Sequence, residues 1–217
     1  MLTAAVVFDL DGVIVDTEQV WDDVRARLTA DWGGTYTADA QRAMMGMSSI
    51  EWSRYMRDEL GLSRSPTEIN DEVVRRMLVR YRKTLPLIPG AVEAVRRLHA
   101  ADLELAVASS SNRPLIDAVL ESAGIRELFR VVVSSEEVPR GKPAPDVYLE
   151  TARRLGVEPA TCVAVEDSAN GIRAARAAGM RVLAYPNTLY PPPADELTLA
   201  DAVLSSLREL TPTLVRG

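Results

Sequence analysis

The stretch AAVVFDLDGVIVDT, residues Ala4 to Thr17, decides how the rest of the chain is read. Its apolar start, Ala4 to Phe8, has the length and composition of a buried β-strand, and Asp9 and Asp11 then follow two residues apart with Gly12 behind them. In an open parallel sheet, ligands bind in the crevice at the carboxyl ends of the strands. A strand ending in Asp9 would therefore deliver one carboxylate there, with Asp11 on the turn beyond it. Gly12 permits a tight reversal without a Cβ clash. Two carboxylates this close repel, which suits a divalent cation or a nucleophile paired with an acid.

Beyond Thr17 the periodicity changes from strand to helix. Val20, Val24 and Leu28 recur every four residues, as do Trp52, Met56 and Leu60. Ser65, Pro66 and Glu68 make a capping-box start for the stripe Ile69, Val73, Met77 and Tyr81. Residues 17–88 are thus expected to be all helical. From Ile88 onward helices alternate with short apolar runs: Leu103 to Ala108, Val131 to Val133, Cys162 to Val165 and Arg181 to Tyr185. Such alternation predicts an α/β fold, a Rossmann-like parallel sheet core made from residues 1–16 and 89–217 with an inserted all-helical cap over the crevice. The proline-rich segment from Asn187 to Glu196 is expected to be an exposed loop.

The chain has 217 residues, 47% hydrophobic and 26% charged, and a net charge of -6, which leaves no basic footprint for nucleic acid or an anionic membrane. Its lone cysteine, Cys162, lies in an apolar run and fits a buried structural role in a reducing compartment. The single histidine, His99, ends a helical pattern and has no histidine partner for a metal site. The apolar segment before Asp9 is short, so neither a secretory signal nor a membrane span is expected, and the cytoplasm is the expected location. A monomer acting on a small molecule is the expected state.

Parallel strands deliver their terminal polar residues to one side: Asp9 and Asp11, then Ser109, then Lys142 in a loop, then Glu166 and Asp167. The set suits phosphoryl chemistry. Asp9, Glu166 and Asp167 offer hard oxygens to Mg²⁺, and Lys142 offers a point charge to phosphate oxygens. Ser109 offers a hydrogen bond, and a helix begins just beyond it. Asp11 is expected to carry a proton to a leaving alkoxide, and ionised Asp9 to attack phosphorus.

In this order the motifs FDLDGVIVDT (Phe8 to Thr17), VASSSN (Val107 to Asn112), GKPAPDVY (Gly141 to Tyr148) and VEDSANGI (Val165 to Ile172) resemble those of the haloacid dehalogenase superfamily. The similarity is to its helical-cap branch of β-phosphoglucomutases and sugar-phosphate phosphatases, and it covers essentially the whole chain. The resemblance implies that Asp9 is the nucleophile forming an aspartyl-phosphate and Asp11 the general acid and then base. It places Ser109, Ser110 and Lys142 on the transferring phosphoryl group. Mg²⁺ would be held by the Asp9 side chain, the Asp11 carbonyl and Asp167, with Glu166 directly or through water. The dehalogenases lack the second aspartate and use no metal, so Asp11 favours phosphoryl transfer.

In the cap, the run DTEQVW (Asp16 to Trp21) is similar to one in cap-bearing phosphatases whose glutamate, here Glu18, faces the substrate. The substrate loop corresponds to Gly46 to Ser49. β-Phosphoglucomutases usually carry arginine where Ser49 stands and lysine where Asn112 stands; neutral residues grip a second phosphate poorly. The expected function is therefore a Mg²⁺-dependent phosphatase of a sugar, polyol or glycolate phosphate. A phosphosugar mutase is the alternative, and a noncatalytic phosphate-sensing regulator stands behind it.

Overall fold

The computed structural model describes residues 3–45, 47–188 and 190–217. Gly46, one of the residues expected in the substrate loop, lies outside them. Six strands form one parallel sheet in the order β3-β2-β1-β4-β5-β6. They are β1 (Ala5–Phe8), β2 (Glu104–Ser109), β3 (Val131–Ser134), β4 (Cys162–Glu166), β5 (Arg181–Ala184) and β6 (Ala202–Val203). β1 lies at the centre. Phe8 is in register with Val107 on one side and Val165 on the other. The chain moves to one side of β1 for β2 and β3 and to the other for β4 to β6, which makes the carboxyl end of β1 the switch point where the crevice opens.

Between β1 and β2 come α1 (Glu18–Asp31), α2 (Ala40–Met44), α3 (Ser49–Asp58), α4 (Pro66–Lys83) and α5 (Ala91–His99). The sheet strands are then joined by α6 (Arg113–Ser122), α7 (Asp146–Leu155) and α8 (Ala169–Ala177), and short helices α9 (Ala194–Leu197) and α10 (Pro212–Arg216) follow β5 and β6. The expected stripe on α4, Ile69, Val73, Met77 and Tyr81, is buried. The capping box that starts this helix is formed, with the Glu68 N–H donating to Ser65 Oγ at 3.2 Å and the Ser65 N–H to Glu68 Oε2 at 3.0 Å. α1 to α4 form the helical segment over the crevice. At its border the chain leaves and returns side by side, with Val15 bridged to Leu87 and the Ile88 N–H donating to Ile14 O at 3.0 Å.

Alternation along the strands gives the sheet two unlike faces. Val6, Phe8, Leu105, Val107, Val163 and Val165 form the bulky face, which joins one apolar core with α5, α6 and α1 to α4. Ala5, Ala106, Ala108, Ala164 and Ala184, with Val7, Val133 and Val182 among them, form a face of smaller residues against which α7 and α8 pack. Cys162 is buried on that second face, where burial pushes its thiol up to about 11. His99 ends α5 as expected.

The segment read as an exposed loop is mostly exposed, with Pro191 and Pro193 open to solvent, but it departs from that reading in part. Pro192 is buried, the segment's end forms α9, and Tyr190 to Pro193 line the crevice. Proline content fixes the backbone's stiffness but not what the segment packs against. Among the described residues no helix is long and apolar enough to cross a membrane.

Candidate active site

At the carboxyl end of β1 the backbone ladder continues one step, the Asp9 N–H donating to Val165 O at 2.9 Å, so the Asp9 side chain is fixed at the base of the crevice. The chain then coils back: the Gly12 N–H donates to Val15 O at 2.7 Å and the Ile14 N–H to Leu10 O at 2.8 Å. Gly12 has φ 82°, and a Cβ there would lie 1.9 Å from Asp167 Oδ2. Only glycine lets the Asp167 carboxylate settle over this turn.

Lys142, in the loop between β3 and α7, reaches the same point. Its Nζ donates to Asp9 Oδ1 and to Glu166 Oε1, both at 2.6 Å, and to Ala108 O at 3.1 Å. The Tyr148 hydroxyl donates to Glu166 Oε1 at 2.7 Å, and the Tyr148 ring centroid lies 5.0 Å from Nζ. Glu166 Oε2 accepts from the Asp167 N–H at 3.1 Å and the Ser168 N–H at 3.3 Å. Both of its oxygens are thus engaged. Gly171 on α8 allows this, because a Cβ there would fall 1.9 Å from Glu166 Oε1.

Asp9, Glu166 and Asp167 are all buried, with one ligand oxygen from each within 4.8 Å of the others. Burial pushes the Asp9 carboxyl up to about 8 against the pull of Lys142, with Glu166 and Asp11 adding to the rise. Burial, then Glu166 and Asp9, also raise Asp167 well above the carboxylate range. Burial opposes the charge on Lys142, but Asp9 and Glu166 outweigh it and its ammonium is held above the usual value. Three carboxylates share one ammonium, so the donor set has room for a hard divalent cation.

Asp11 stands at the rim of this cluster. Its Oδ2 accepts from Ser111 Oγ at 2.6 Å, and its Oδ1 accepts from Thr17 Oγ1 and, at 3.4 Å, from Trp21 Nε1. Ser109 is fully buried behind the wall, where its hydroxyl accepts from the Ser111 N–H at 3.0 Å. Ser110 and Ser111 line the crevice itself, and Ser110 Oγ has no hydrogen-bond partner among the described residues.

Above lies a cavity of about 440 Å³ lined from below by Asp9, Asp11, Lys142 and Asp167 and from above by α1 to α3. A family model described as haloacid dehalogenase-like hydrolase matches residues 3–179. The chain belongs to this family. This haloacid dehalogenase-like hydrolase is 36% identical over 215 residues to hexitol phosphatase B of Escherichia coli, covering 95% of this chain and 94% of the relative. It is also 36% identical over 184 residues to the fructose-1-phosphate phosphatase YqaB of Escherichia coli, covering 82% and 93% of the two chains. Among solved structures, CbbY from Rhodobacter sphaeroides in complex with phosphate has a TM-score of 0.87 at 27% identity, covering 99% of each chain.

The upper wall of the hydrolase's cavity contains residues the sequence reading passed over. Glu18, expected to face substrate, does line the cavity, and its Oε2 accepts from Gln41 Nε2 at 2.8 Å. Burial, then Asp11, raises the Glu18 carboxyl. One α1 face also carries Trp21 and Arg25, and Trp52 closes over them from α3. Spacing was the available signal: 18, 21, 25 and 28 fall on one helix face, so a charged Arg25 interrupts an otherwise buried stripe.

Ser49 and Asn112 have a different employment from gripping a phosphate. Ser49 Oγ and Asn112 Nδ2 both donate to Glu136 Oε1, at 3.0 and 2.6 Å, and Asn112 Nδ2 also donates to Asn70 Oδ1 at 2.9 Å. These bonds form a seam between the helical segment and the sheet domain.

Proposed function

We propose that this haloacid dehalogenase-like hydrolase is a Mg²⁺-dependent phosphatase that cleaves a small sugar, polyol or glycolate phosphate through an aspartyl-phosphate on Asp9. The observation that carries this reading is the ammonium of Lys142 bonded at 2.6 Å to both Asp9 and Glu166 beneath the cavity. Asp9 Oδ1 is held by Lys142, while Oδ2 receives no hydrogen bond among the described residues and is free to act.

In the first step an Asp9 oxygen forms a bond to phosphorus as the bond to the ester oxygen breaks, and Asp11 gives its proton to the departing alkoxide. In the second, Asp11 takes a proton from water, the water oxygen bonds to phosphorus, and inorganic phosphate leaves with Asp9 restored. The Thr17 and Ser111 hydroxyls suit both steps, because each can donate to ionised Asp11 or turn to accept from it when protonated. Lys142 and Ser110 would hold the phosphoryl oxygens, with Ser109 keeping the Ser111 backbone in place.

The residues present fit Mg²⁺, since crowded buried carboxylates with raised affinity for a proton also favour a metal cation. Asp9, Asp167 and the Asp11 carbonyl would hold it. With both oxygens already bonded, Glu166 is read as acting through water and through Lys142. When bound, the ion supplies positive charge that offsets the phosphoryl oxygens.

We divide the chain into a core of residues 1–16 and 89–217 and a cap of 17–88, supported by the paired crossing at Val15 and Leu87. We read the protein as a monomer, since the site draws on no group beyond this chain's own, and its cytoplasmic placement rests on the single buried cysteine. Ser49 and Asn112, the positions where β-phosphoglucomutases usually carry cations, are neutral here and bonded to Glu136, which favours hydrolysis over mutase action.

The test is Asp9→Asn assayed with Mg²⁺ on p-nitrophenyl phosphate. Phosphate release should fall to background while circular dichroism matches the parent. Turnover close to the parent would remove Asp9 from the nucleophile's role.

A further inference from the structure

Arg25 is buried, 5% exposed, in the upper wall of the cavity. Its guanidinium carbon lies 4.6 Å from the Trp21 ring centroid and 5.0 Å from that of Trp52, so two indoles flank the cation and leave its hydrogen-bonding edge. That edge is poorly used. Nη1 makes one long bond of 3.4 Å to Gln41 Oε1, and Nε, though buried, has no acceptor.

Among the described residues, none of the nearby acids is bonded to Arg25. Glu18 accepts from Gln41, Asp22 accepts from the Tyr36 hydroxyl at 2.7 Å, and Asp11 accepts from Thr17 and Ser111. Burial pushes the Arg25 guanidinium down to about 10 against the pull of Tyr36, Glu18, Asp11 and Asp22. A buried guanidinium without a bonded carboxylate is costly to keep. Its position on the substrate cavity supplies a reason.

We infer that Arg25 is a specificity-determining residue, and that the group it selects is a carboxylate on the organic part of the phosphate ester. This rests on the phosphatase reading and narrows it. A planar guanidinium fork matches a carboxylate through two parallel hydrogen bonds. A hydroxyl offers the fork a single neutral acceptor. A second phosphate would need more than this one enclosed cation, and Arg42, the other arginine lining the cavity, is exposed while Glu18 adds negative charge to the same wall.

The experiment compares esters that differ only at the far end: glucitol 6-phosphate with gluconate 6-phosphate, and glycerol 3-phosphate with glycerate 3-phosphate. Two chain lengths allow for the reach from Asp9 to Arg25. With Mg²⁺ and the unaltered protein, kcat/KM should favour the carboxylate member of at least one pair by about tenfold or more. Arg25→Gln should shrink that preference about ten- to a hundredfold, through the KM of the carboxylated ester. Arg25→Lys, which keeps the charge and loses the fork, should recover only part of it.

Equal or better turnover of the polyol ester in both pairs would overturn the inference even if no Arg25 variant folds. An Arg25→Gln protein that lost both members of a pair equally would also overturn it. p-Nitrophenyl phosphate separates the two readings. If the unaltered protein cleaves it but prefers the polyol esters, only the role of Arg25 fails; if it cleaves no phosphate ester, the phosphatase reading fails and takes this one with it.

Discussion

On the sheet side of the crevice, Lys142 is bonded to two carboxylates and a carbonyl, with Tyr148 bracing one of those carboxylates. On the cap side, Arg25 is as buried as Lys142 yet has one long bond to a neutral amide. The two cations therefore stand in different energetic states. Removing one partner from a buried, bonded pair leaves uncompensated charge behind, whereas removing an unpaired buried cation relieves a desolvation cost. The floor is organised before substrate arrives, and the cap wall is completed by it.

Replacing both cations with methionine, an apolar side chain of similar length, puts this contrast to the test. Lys142→Met strips Asp9 and Glu166 of their ammonium. Stability should fall by about 3–5 kcal/mol, which for a chain of this size lowers Tm by roughly 10 °C. Phosphate release should drop by a factor on the order of 10² to 10³, the usual loss for removing one aimed donor. Arg25→Met forfeits contact with two indoles but also the desolvation cost, so Tm should stay within about 2 °C of the parent or rise. Thermal melts of the two variants decide the matter. Equal destabilisation would mean that Arg25 has structural partners as strong as those of Lys142.

The floor was legible in the sequence because topology alone assembles it. Once the apolar runs are read as parallel strands, Asp9, Ser109, Lys142 and the Glu166–Asp167 pair must emerge at one edge, whatever the side chains then do. Their local arrangement was less accessible. Ser109 stands behind the wall because a bond two residues along ties its hydroxyl to Ser111. Glu166 is bonded through both oxygens because Gly171 lets α8 close on it, a dependence no spacing rule encodes.

The cap wall was mostly illegible. Gln41 sits on the five-residue helix α2 (Ala40–Met44), too short to leave a period. Arg25 was hidden by the convention that arginine marks a helix's wet face. β6, only Ala202–Val203, was similarly missed, being shorter than any alternation can reveal. Strand ends converge by backbone geometry, while a wall made from three helices depends on how they pack.

The seam between the two sides offers the gentlest perturbation. Glu136 collects Ser49 Oγ and Asn112 Nδ2 on one oxygen and the Arg113 N–H, at 3.2 Å, on the other. Of these, the Ser49 bond reaches into the helical segment. Glu136→Ala removes all three, while Asn112 retains its bond to Asn70 and the floor is untouched. Stability should fall by about 1 kcal/mol, the net value of an ordinary hydrogen bond or two at a partly exposed site. If the cap wall is held over the floor partly through this carboxylate, loosening it should raise KM a few-fold and change kcat less, because the groups that touch phosphorus stay where they are. Steady-state kinetics on a sugar phosphate resolves the two parameters. A fall in kcat with KM unchanged would mean that the seam acts on the floor itself, and that the two walls are one preorganised unit after all.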